Sequence, residues 1–261
     1  MKYIILLVAI SAVAMGAYYF FQKEPVMKSK KELVAADGIK LAYDFYAAEN
    51  PKGWLVLIHM MPAVKESWQE FAGRMQKEGF ASIAFDLRGH GRSQGGPDGY
   101  LNFSDREHQM SIKDLEAAAR FMKEQGAAAD RTYFIGASIG ANLAIQYAAE
   151  HPELKKAALL SPGLNYRGIL TLPLVEKIQP GQRLLFVSSL NDGENTKENQ
   201  KLAGRVPAGI LRDLIIYKKA GHGTEILNAS RLEEFDLTAV IGKFLQDQPY
   251  QEPENVGDNP A

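Results

Sequence analysis

The chain has 261 residues, of which 46% are hydrophobic, and its formal net charge at pH 7 is −1. This length and composition suit one sizeable globular domain with a full apolar core, and the near-neutral charge excludes the basic field by which proteins bind nucleic acid. The absence of cysteine excludes thiol catalysis, disulfide bonds and thiolate metal sites. The sequence has no glycine-rich phosphate loop and no histidine–carboxylate cluster with metal-ligand spacing, so we expect neither metal nor cofactor.

Residues 1–22 form a separate N-terminal element. Lys2 precedes an apolar run from Tyr3 to Phe21 that only Ser11 interrupts, and this run is about as long as a bilayer-spanning helix. It predicts an uncleaved membrane anchor or a cleaved signal peptide, with a buried core helix as a third alternative. The aromatic end of the run, AYYFF, is typical of a membrane interface and favours the anchor. We therefore expect a membrane-anchored or exported protein of a bacterial-type envelope, on either side of the membrane.

A polar tether, residues 23–32, leads into a region where short apolar strands alternate with helical segments. Asp37 and Gly38 are typical of a β-hairpin turn. The predicted strands are 54–59, 81–86, 131–135, 157–161, 184–188 and 211–217, and the predicted helices are about 67–77, 112–124, one ending at 149, 197–202 and 233–246. This alternation predicts an α/β domain over 33–246, with a mostly parallel sheet and helices on both faces. The acidic, proline-containing residues 247–261 predict a disordered tail.

The segment RTYFIGASIGANLAIQYAAEHPE is typical of a strand, a tight turn and a helix. In it Gly136, Ser138 and Gly140 match the pattern Gly-x-Ser-x-Gly of a nucleophile elbow. Small residues two positions before and after the serine let the backbone pass close to itself, which holds the hydroxyl clear of the sheet. Ser138 is therefore the predicted nucleophile, and the amide of Ile139, at the helix N-terminus, is a predicted oxyanion donor.

Together with WLVLIHMMPAVKESW, FASIAFDLRGHGRS, LLFVSSLNDGEN and LIIYKKAGHGTEIL, this elbow resembles the α/β-hydrolase family over about 31–246. The resemblance implies a serine hydrolase of the esterase or lipase type with a small cap, acting on a small-molecule carboxylic ester or on an amide or peptide. It also implies that His222 transfers the proton of Ser138 and that Asp192 holds the imidazole in place. Glu194 is the alternative acid. A non-catalytic, membrane-tethered binding protein is the alternative function, because fold does not imply function.

One loop departs from the family pattern. Where the family usually has His-Gly, this chain has His59-Met60, and by position the amide of Met61 is the second predicted oxyanion donor. Methionine adopts at a cost the backbone angles that glycine permits. Either Met60 takes an ordinary conformation, or the loop differs from that of the family.

The remaining histidines are predicted to have structural places. His59 is expected to satisfy backbone groups, His90 to belong to an organised loop near the site entrance, His151 to end a helix, and His108 to lie on a solvated helix face. Only residues 162–183 are available for a cap, so we expect about one short helix with loops and an open site for short or medium acyl groups. The residues that either line this pocket or pack in the core are Leu164, Tyr166, Ile169 and Leu172.

Overall fold

The computed structural model of the protein describes residues 32–233 and 235–250. The predicted N-terminal anchor or signal segment, 1–22, lies outside these residues. Within the described ranges, no helix is long and apolar enough to cross a membrane. Of the predicted disordered tail, only 247–250 is described, and there Asp247 forms ion pairs with Lys156 at 2.7 Å and Arg183 at 3.4 Å. This first residue of the tail is therefore held against the domain.

In the described part of the chain, seven strands form a central sheet that two short hairpins accompany. The strands are β1 (Leu33–Val34), β2 (Lys40–Leu41), β3 (Tyr43–Tyr46), β4 (Gly53–Ile58), β5 (Phe80–Phe85), β6 (Thr132–Ala137), β7 (Lys156–Leu160), β8 (Asn165–Tyr166), β9 (Ile169–Leu170), β10 (Arg183–Ser189) and β11 (Leu211–Tyr217). The order across the sheet is β11-β10-β7-β6-β4-β5-β3, and all neighbouring pairs are parallel except β3 with β5. The predicted mostly parallel sheet is confirmed, as is the hairpin that joins β1 to β2.

Strands β4, β5 and β6 are buried along their whole length, which explains their near-continuous apolar sequences. Because successive side chains of a strand point to opposite faces, β4 contributes to two apolar cores. Leu55 and Leu57 belong to one core, and Val56 and Ile58 belong to the other. The sheet therefore separates two cores, each of which needs a layer of helices to cover it.

Helices supply both layers. They are α1 (Gln69–Lys77), α2 (Asp105–Gln109), α3 (Ile112–Glu124), α4 (Ile139–Glu150), α5 (Leu172–Val175), α6 (Asn195–Arg205), α7 (Glu225–Ala229) and α8 (Leu237–Leu245). Side chains of α1, α7 and α8 pack in the core of Leu55 and Leu57, whereas those of α3, α4 and α6 pack on the opposite face. The prediction of helices on both faces is confirmed.

The differences from the sequence-based expectations lie in short elements and at helix ends. The last helix begins at Leu237, later than expected, because the side chain of Asp236 accepts a hydrogen bond from the amide of Thr238 and caps it. The cap between β7 and β10 contains the expected short helix, α5, and also the β8–β9 hairpin, which was not predicted. Helices α2 and α7 were also missed, since five residues are too few to show a helical period.

Candidate active site

Ser138 lies in the turn between β6 and α4, with backbone angles of φ 53° and ψ −118°. A positive φ is uncommon for a residue that carries a side chain, and such strain is concentrated at functional sites. Close packing requires the two neighbouring glycines. A Cβ on Gly136 would lie 2.2 Å from the carbonyl oxygen of Gly140, and a Cβ on Gly140 would lie 2.4 Å from that of Ile58. The chain thus forms the tight turn expected of its Gly-x-Ser-x-Gly segment.

Three of the predicted site residues follow the carboxyl ends of parallel strands, which meet at one edge of the sheet. Ser138 follows β6, Asp192 follows β10 and His222 follows β11. The Nδ1 atom of His222 lies 2.7 Å from Oδ2 of Asp192. Because a carboxylate only accepts hydrogen bonds, Nδ1 carries the proton in this pair and Nε2 is left as the basic nitrogen.

The alternative acid, Glu194, pairs with a lysine on the surface. Its side chain is 76% exposed and forms an ion pair with Lys197 at 2.9 Å. The Asp192 side chain, by contrast, is 15% exposed. Of the two carboxylates that the sequence offers, Asp192 is the one that contacts His222.

Four side chains hold the loop that carries His222, three of them at neighbouring strand ends and one, Glu225, at the start of α7. Four consecutive amides of this loop donate to side-chain oxygens: Ala220 to Ser189 at 2.7 Å, Gly221 to Asn191 at 3.0 Å, His222 to Glu225 at 3.1 Å and Gly223 to Ser161 at 3.0 Å. Paired amides are costly to release, so the position of the imidazole is fixed by the loop as well as by Asp192. The sequence analysis missed all four acceptors. Their only signal is that Ser161, Ser189 and Asn191 come at or just after the ends of apolar strands.

Tyr166, in strand β8 of the cap, lies beside His222. Its ring meets the His222 ring edge-on, with centroids 6.5 Å apart, and its hydroxyl accepts a hydrogen bond from Nδ2 of Asn195 at 3.3 Å. The hydrogen bonds of the described residues include none between Ser138 and His222 themselves. The other candidate pocket residues differ in their burial. Ile169 is buried in the core, whereas Leu164 and Leu172 are half-buried and pack against it.

The two predicted oxyanion donors stay predictions. Ile139 is the first residue of α4, where amides have no partner within the helix and remain available to a ligand. Among the described residues that are not glycine, five have a positive φ, and neither Met60 nor Met61 is one of them. Met60 therefore takes an ordinary conformation. Its sulfur packs against Gly223, at 2.5 Å from the position that a Cβ there would occupy.

His59 and His90 are buried and structural. Nδ1 of His59 lies 2.9 Å from the carbonyl oxygen of Met60, and its Nε2 accepts the amide proton of Leu87 at 2.9 Å, so the expectation that it satisfies backbone groups is confirmed. Burial, with the neighbouring His90, lowers the pKa of His59 to about 3. Nδ1 of His90 lies 3.0 Å from the carbonyl oxygen of Arg88, and burial lowers the pKa of His90 to about 4.

The expectation for His108 is wrong. It lies in α2 as a buried residue, not on a solvated face, and its ring packs edge-on against Phe103 with centroids 5.4 Å apart. The charged sequence DREHQ hid this burial, because the apolar partner belongs to the preceding loop. His151 directly follows α4 as its C-cap residue, as expected.

The strand order and the strained serine after β6 are those of the α/β-hydrolase fold. Within that class the chain belongs to the family described as serine aminopeptidase, S33, whose model matches residues 49–215. An esterase of Pyrococcus furiosus has a similar structure, with a TM-score of 0.65 and 20% sequence identity over 83% of this chain and 89% of that one. This likeness confirms the fold.

Two relatives with known names are similar in sequence. A monoacylglycerol lipase of Mycolicibacterium smegmatis is 26% identical over 206 residues, or 72% of this chain and 70% of the lipase. A bifunctional esterase/perhydrolase of Acinetobacter calcoaceticus is 31% identical over 129 residues, or 48% of this chain and 42% of that protein. Across four such relatives, the chain covers between 29% and 70% of their length.

Proposed function

We propose that the protein hydrolyses carboxylic esters through an acyl-enzyme intermediate, with Ser138 as nucleophile, His222 as general base and acid, and Asp192 as the residue that orients the imidazole. The observation that carries this proposal is the hydrogen bond of 2.7 Å between Asp192 and His222, on the sheet edge where the strained Ser138 lies. The names of the lipase and the esterases among its relatives support an ester as the substrate.

The arrangement of these residues supports the following steps of acyl transfer. A serine hydroxyl is a weak nucleophile at neutral pH, so Nε2 of His222 takes its proton as Oγ attacks the acyl carbon. The same proton then passes to the departing alcohol. Asp192 stabilises the imidazolium formed in between without taking its proton. The amides of Ile139 and Met61 are the proposed donors to the oxyanion. In the second half-reaction water attacks the acyl carbon and gives its proton to His222, which passes it to Oγ of Ser138 as the carboxylic acid is released.

The cap supports a preference for short or medium acyl groups. It consists of the two-stranded β8–β9 hairpin and the single turn of α5, which leaves little structure to enclose a long chain. The family description as a serine aminopeptidase makes an N-terminal amino-acid amide the second candidate substrate. Both kinds of substrate would be cleaved by the same nucleophile. Rates measured on a panel of esters and a panel of aminoacyl amides, with one preparation of the protein, therefore show which kind it prefers.

The test uses Ser138→Ala, which should abolish hydrolysis of p-nitrophenyl acetate and butyrate, because loss of the nucleophile in such a set removes several orders of magnitude of rate. Labelling by a fluorophosphonate should also require Ser138. Circular dichroism checks that the variant is folded. Activity retained within about tenfold would refute the nucleophile assignment. A parent chain that neither labels nor hydrolyses any ester or aminoacyl amide would instead favour the non-catalytic binding protein.

We also propose that residues 1–22 tether the enzyme to a membrane. The support is the apolar run from Tyr3 to Phe21 and the aromatic residues at its end. The folded domain begins at β1, with Leu33, so residues 23–32 are the connection between the two.

A further inference from the structure

The side chain of His59 holds the carbonyl group of the next residue. His59 directly follows β4 and is fully buried. Its Nε2 lies 2.9 Å from the amide nitrogen of Leu87, which can only donate, so this ring nitrogen accepts. Burial lowers the pKa of His59 to about 3, so the ring is neutral and carries one proton at neutral pH. That proton is therefore on Nδ1, which donates to the carbonyl oxygen of Met60 at 2.9 Å.

This hydrogen bond sets the direction of a backbone amide. The peptide unit that carries the Met60 carbonyl also carries the amide of Met61, and it is trans. In a planar trans peptide the C=O and N–H bonds point in opposite directions. Since the carbonyl oxygen faces the buried imidazole, the Met61 amide faces away from it. No hydrogen bond within residues 32–233 and 235–250 has this amide as its donor, so it is available to a ligand.

The segment that carries this amide borders both halves of the proposed catalytic machinery. On one side is Gly140, the second residue of α4, where an added Cβ would come within 2.7 Å of the carbonyl oxygen of His59. On the other side, the sulfur of Met60 packs against Gly223 in the histidine loop. Strands β4 and β6 are also neighbours in the sheet, so the residues that follow them lie at the same edge. The Met61 amide is therefore carried between the nucleophile turn and the histidine loop.

We propose that His59 is a positioning residue, which fixes the Met61 amide so that it donates to the oxyanion formed in ester hydrolysis. The inference rests on the proposed function. As Oγ of Ser138 bonds to the acyl carbon, the carbonyl electron pair moves onto the acyl oxygen. A donor that is fixed in advance stabilises this charge without having to reorganise. His59 touches neither the substrate nor the reacting atoms, and it acts by removing a rotation of the 60–61 peptide.

Two substitutions separate the two hydrogen bonds of the ring. His59→Asn places an amide nitrogen near the position of Nδ1, which keeps a donor to Met60 and leaves the amide of Leu87 without an acceptor. His59→Gln places an amide oxygen near the position of Nε2, which keeps the acceptor for Leu87 and removes the donor to Met60. We expect kcat for p-nitrophenyl butyrate to fall about 10- to 100-fold in His59→Gln, with KM nearly unchanged. His59→Asn should retain most of the parent kcat.

Stability should follow the opposite order, which a merely structural role would not produce. In urea unfolding His59→Asn should be the less stable variant, because a buried amide without a partner is costly. Affinity for a trifluoromethyl ketone, which binds a serine nucleophile as a tetrahedral oxyanion, should fall in His59→Gln by the same factor as kcat.

His90→Gln is the matched control. His90 is also buried, and its ring packs edge-on against that of His59 with centroids 5.0 Å apart. Its Nδ1 lies against the carbonyl oxygen of Arg88, outside the loop that carries the Met61 amide. His90→Gln should therefore keep the parent kcat and the parent affinity for the ketone.

The ring proton can also be located in the parent chain, without any substitution. NMR of the protein with isotopically labelled histidine should show His59 as the neutral tautomer that is protonated on Nδ1. A proton on Nε2 would overturn the proposal, since Nδ1 could then not donate to the carbonyl of Met60.

The outcomes separate this inference from the proposed function. Given Ser138-dependent hydrolysis in the parent chain, a folded His59→Gln with kcat within about twofold of the parent would overturn the role of His59 alone. An equal loss of kcat in His59→Asn and His59→Gln would do the same. Absence of any Ser138-dependent reaction in the parent chain would refute the proposed function and, with it, this inference.

Discussion

Two buried histidines make the stability of the fold depend on pH. His59 donates through Nδ1 and accepts through Nε2, so its imidazole is neutral in the folded state. His90 is stacked on Tyr100 with ring centroids 3.9 Å apart, and its Nε2 is buried without a hydrogen-bond partner. Protonation of either ring places a charge in a site that cannot solvate it.

The sign of the effect follows from the direction of the pKa shifts. Burial lowers the pKa of His59 to about 3 and that of His90 to about 4, whereas a histidine in the unfolded chain titrates near pH ~6.5. Below that pH the unfolded chain binds protons that the folded chain does not, so the free energy of unfolding falls as the pH falls. The limiting slope is about 1.4 kcal/mol per pH unit for each histidine, and because the unfolded histidines are already partly protonated at pH ~6, the pair lowers the free energy of unfolding by about 2 kcal/mol between roughly pH 6 and pH 5. Burial raises the pKa of Asp114 to about 6, so this carboxyl takes up a proton in the folded state over the same range and offsets part of the loss.

Urea unfolding at steps between about pH 7 and pH 5 measures this slope. His90→Phe keeps a flat ring against Tyr100 and removes one titrating group, so the loss of stability between roughly pH 6 and pH 5 should shrink by about 1 kcal/mol. The matched control is His151→Gln, at the half-exposed end of α4, which should keep the parent slope. An unchanged slope in His90→Phe would refute the argument.

Three further predictions concern the acid, a buried ion pair and the N-terminal segment. Asp192→Asn should lower ester turnover by roughly a thousandfold or more, because it favours the wrong histidine tautomer. Glu194→Gln should leave turnover nearly unchanged. The reverse pattern would make Glu194 the acid. Arg88→Met should destabilise the fold by about 3 kcal/mol in urea unfolding, because Asp114 is fully buried and loses its partner at 2.7 Å. Arg92→Met, at a side chain that is 70% exposed, is the control and should change stability little. Equal effects of the two substitutions would contradict this explanation. A chain that begins at residue 33 should be active in the soluble fraction while the full chain stays with membranes after a carbonate wash, and a soluble full-length product whose N-terminus has been cleaved near residues 15–18 would establish a signal peptide instead.

Long apolar strands and the tight turn at Ser138 could be predicted from the sequence because their signals are local. The pattern of β6 and the spacing of Gly136 and Gly140 lie within one short segment. His222 and Asp192 depended on the resemblance to a family, since each stands in an ordinary glycine-containing turn. Their 2.7 Å contact joins residues 30 positions apart, and no local pattern encodes it.

The surroundings of the site could not be predicted for the same physical reason. The amides of the His222 loop are paired with side chains from other strand ends, such as Ser161, which is 62 positions away from its partner. Tyr166 could be named only as a pocket or core candidate, because its place depends on a hairpin whose strands have two residues each. His108 was misplaced because Phe103, outside its helix, buries it.

The strained backbone at Ser138 has a consequence for which residue evolution would favour at this position. A serine held at φ 53° carries conformational strain of about 1–3 kcal/mol, and glycine would relieve it, since glycine adopts positive φ freely. Every folded copy of the protein therefore carries this energetic cost, which the proposed role of Ser138 as nucleophile would explain. If Ser138 is the nucleophile, a lineage released from selection for activity would be expected to replace it with glycine, which stabilises the fold and removes the proposed reaction. Retention of serine at position 138 would then indicate that selection for the proposed activity has continued.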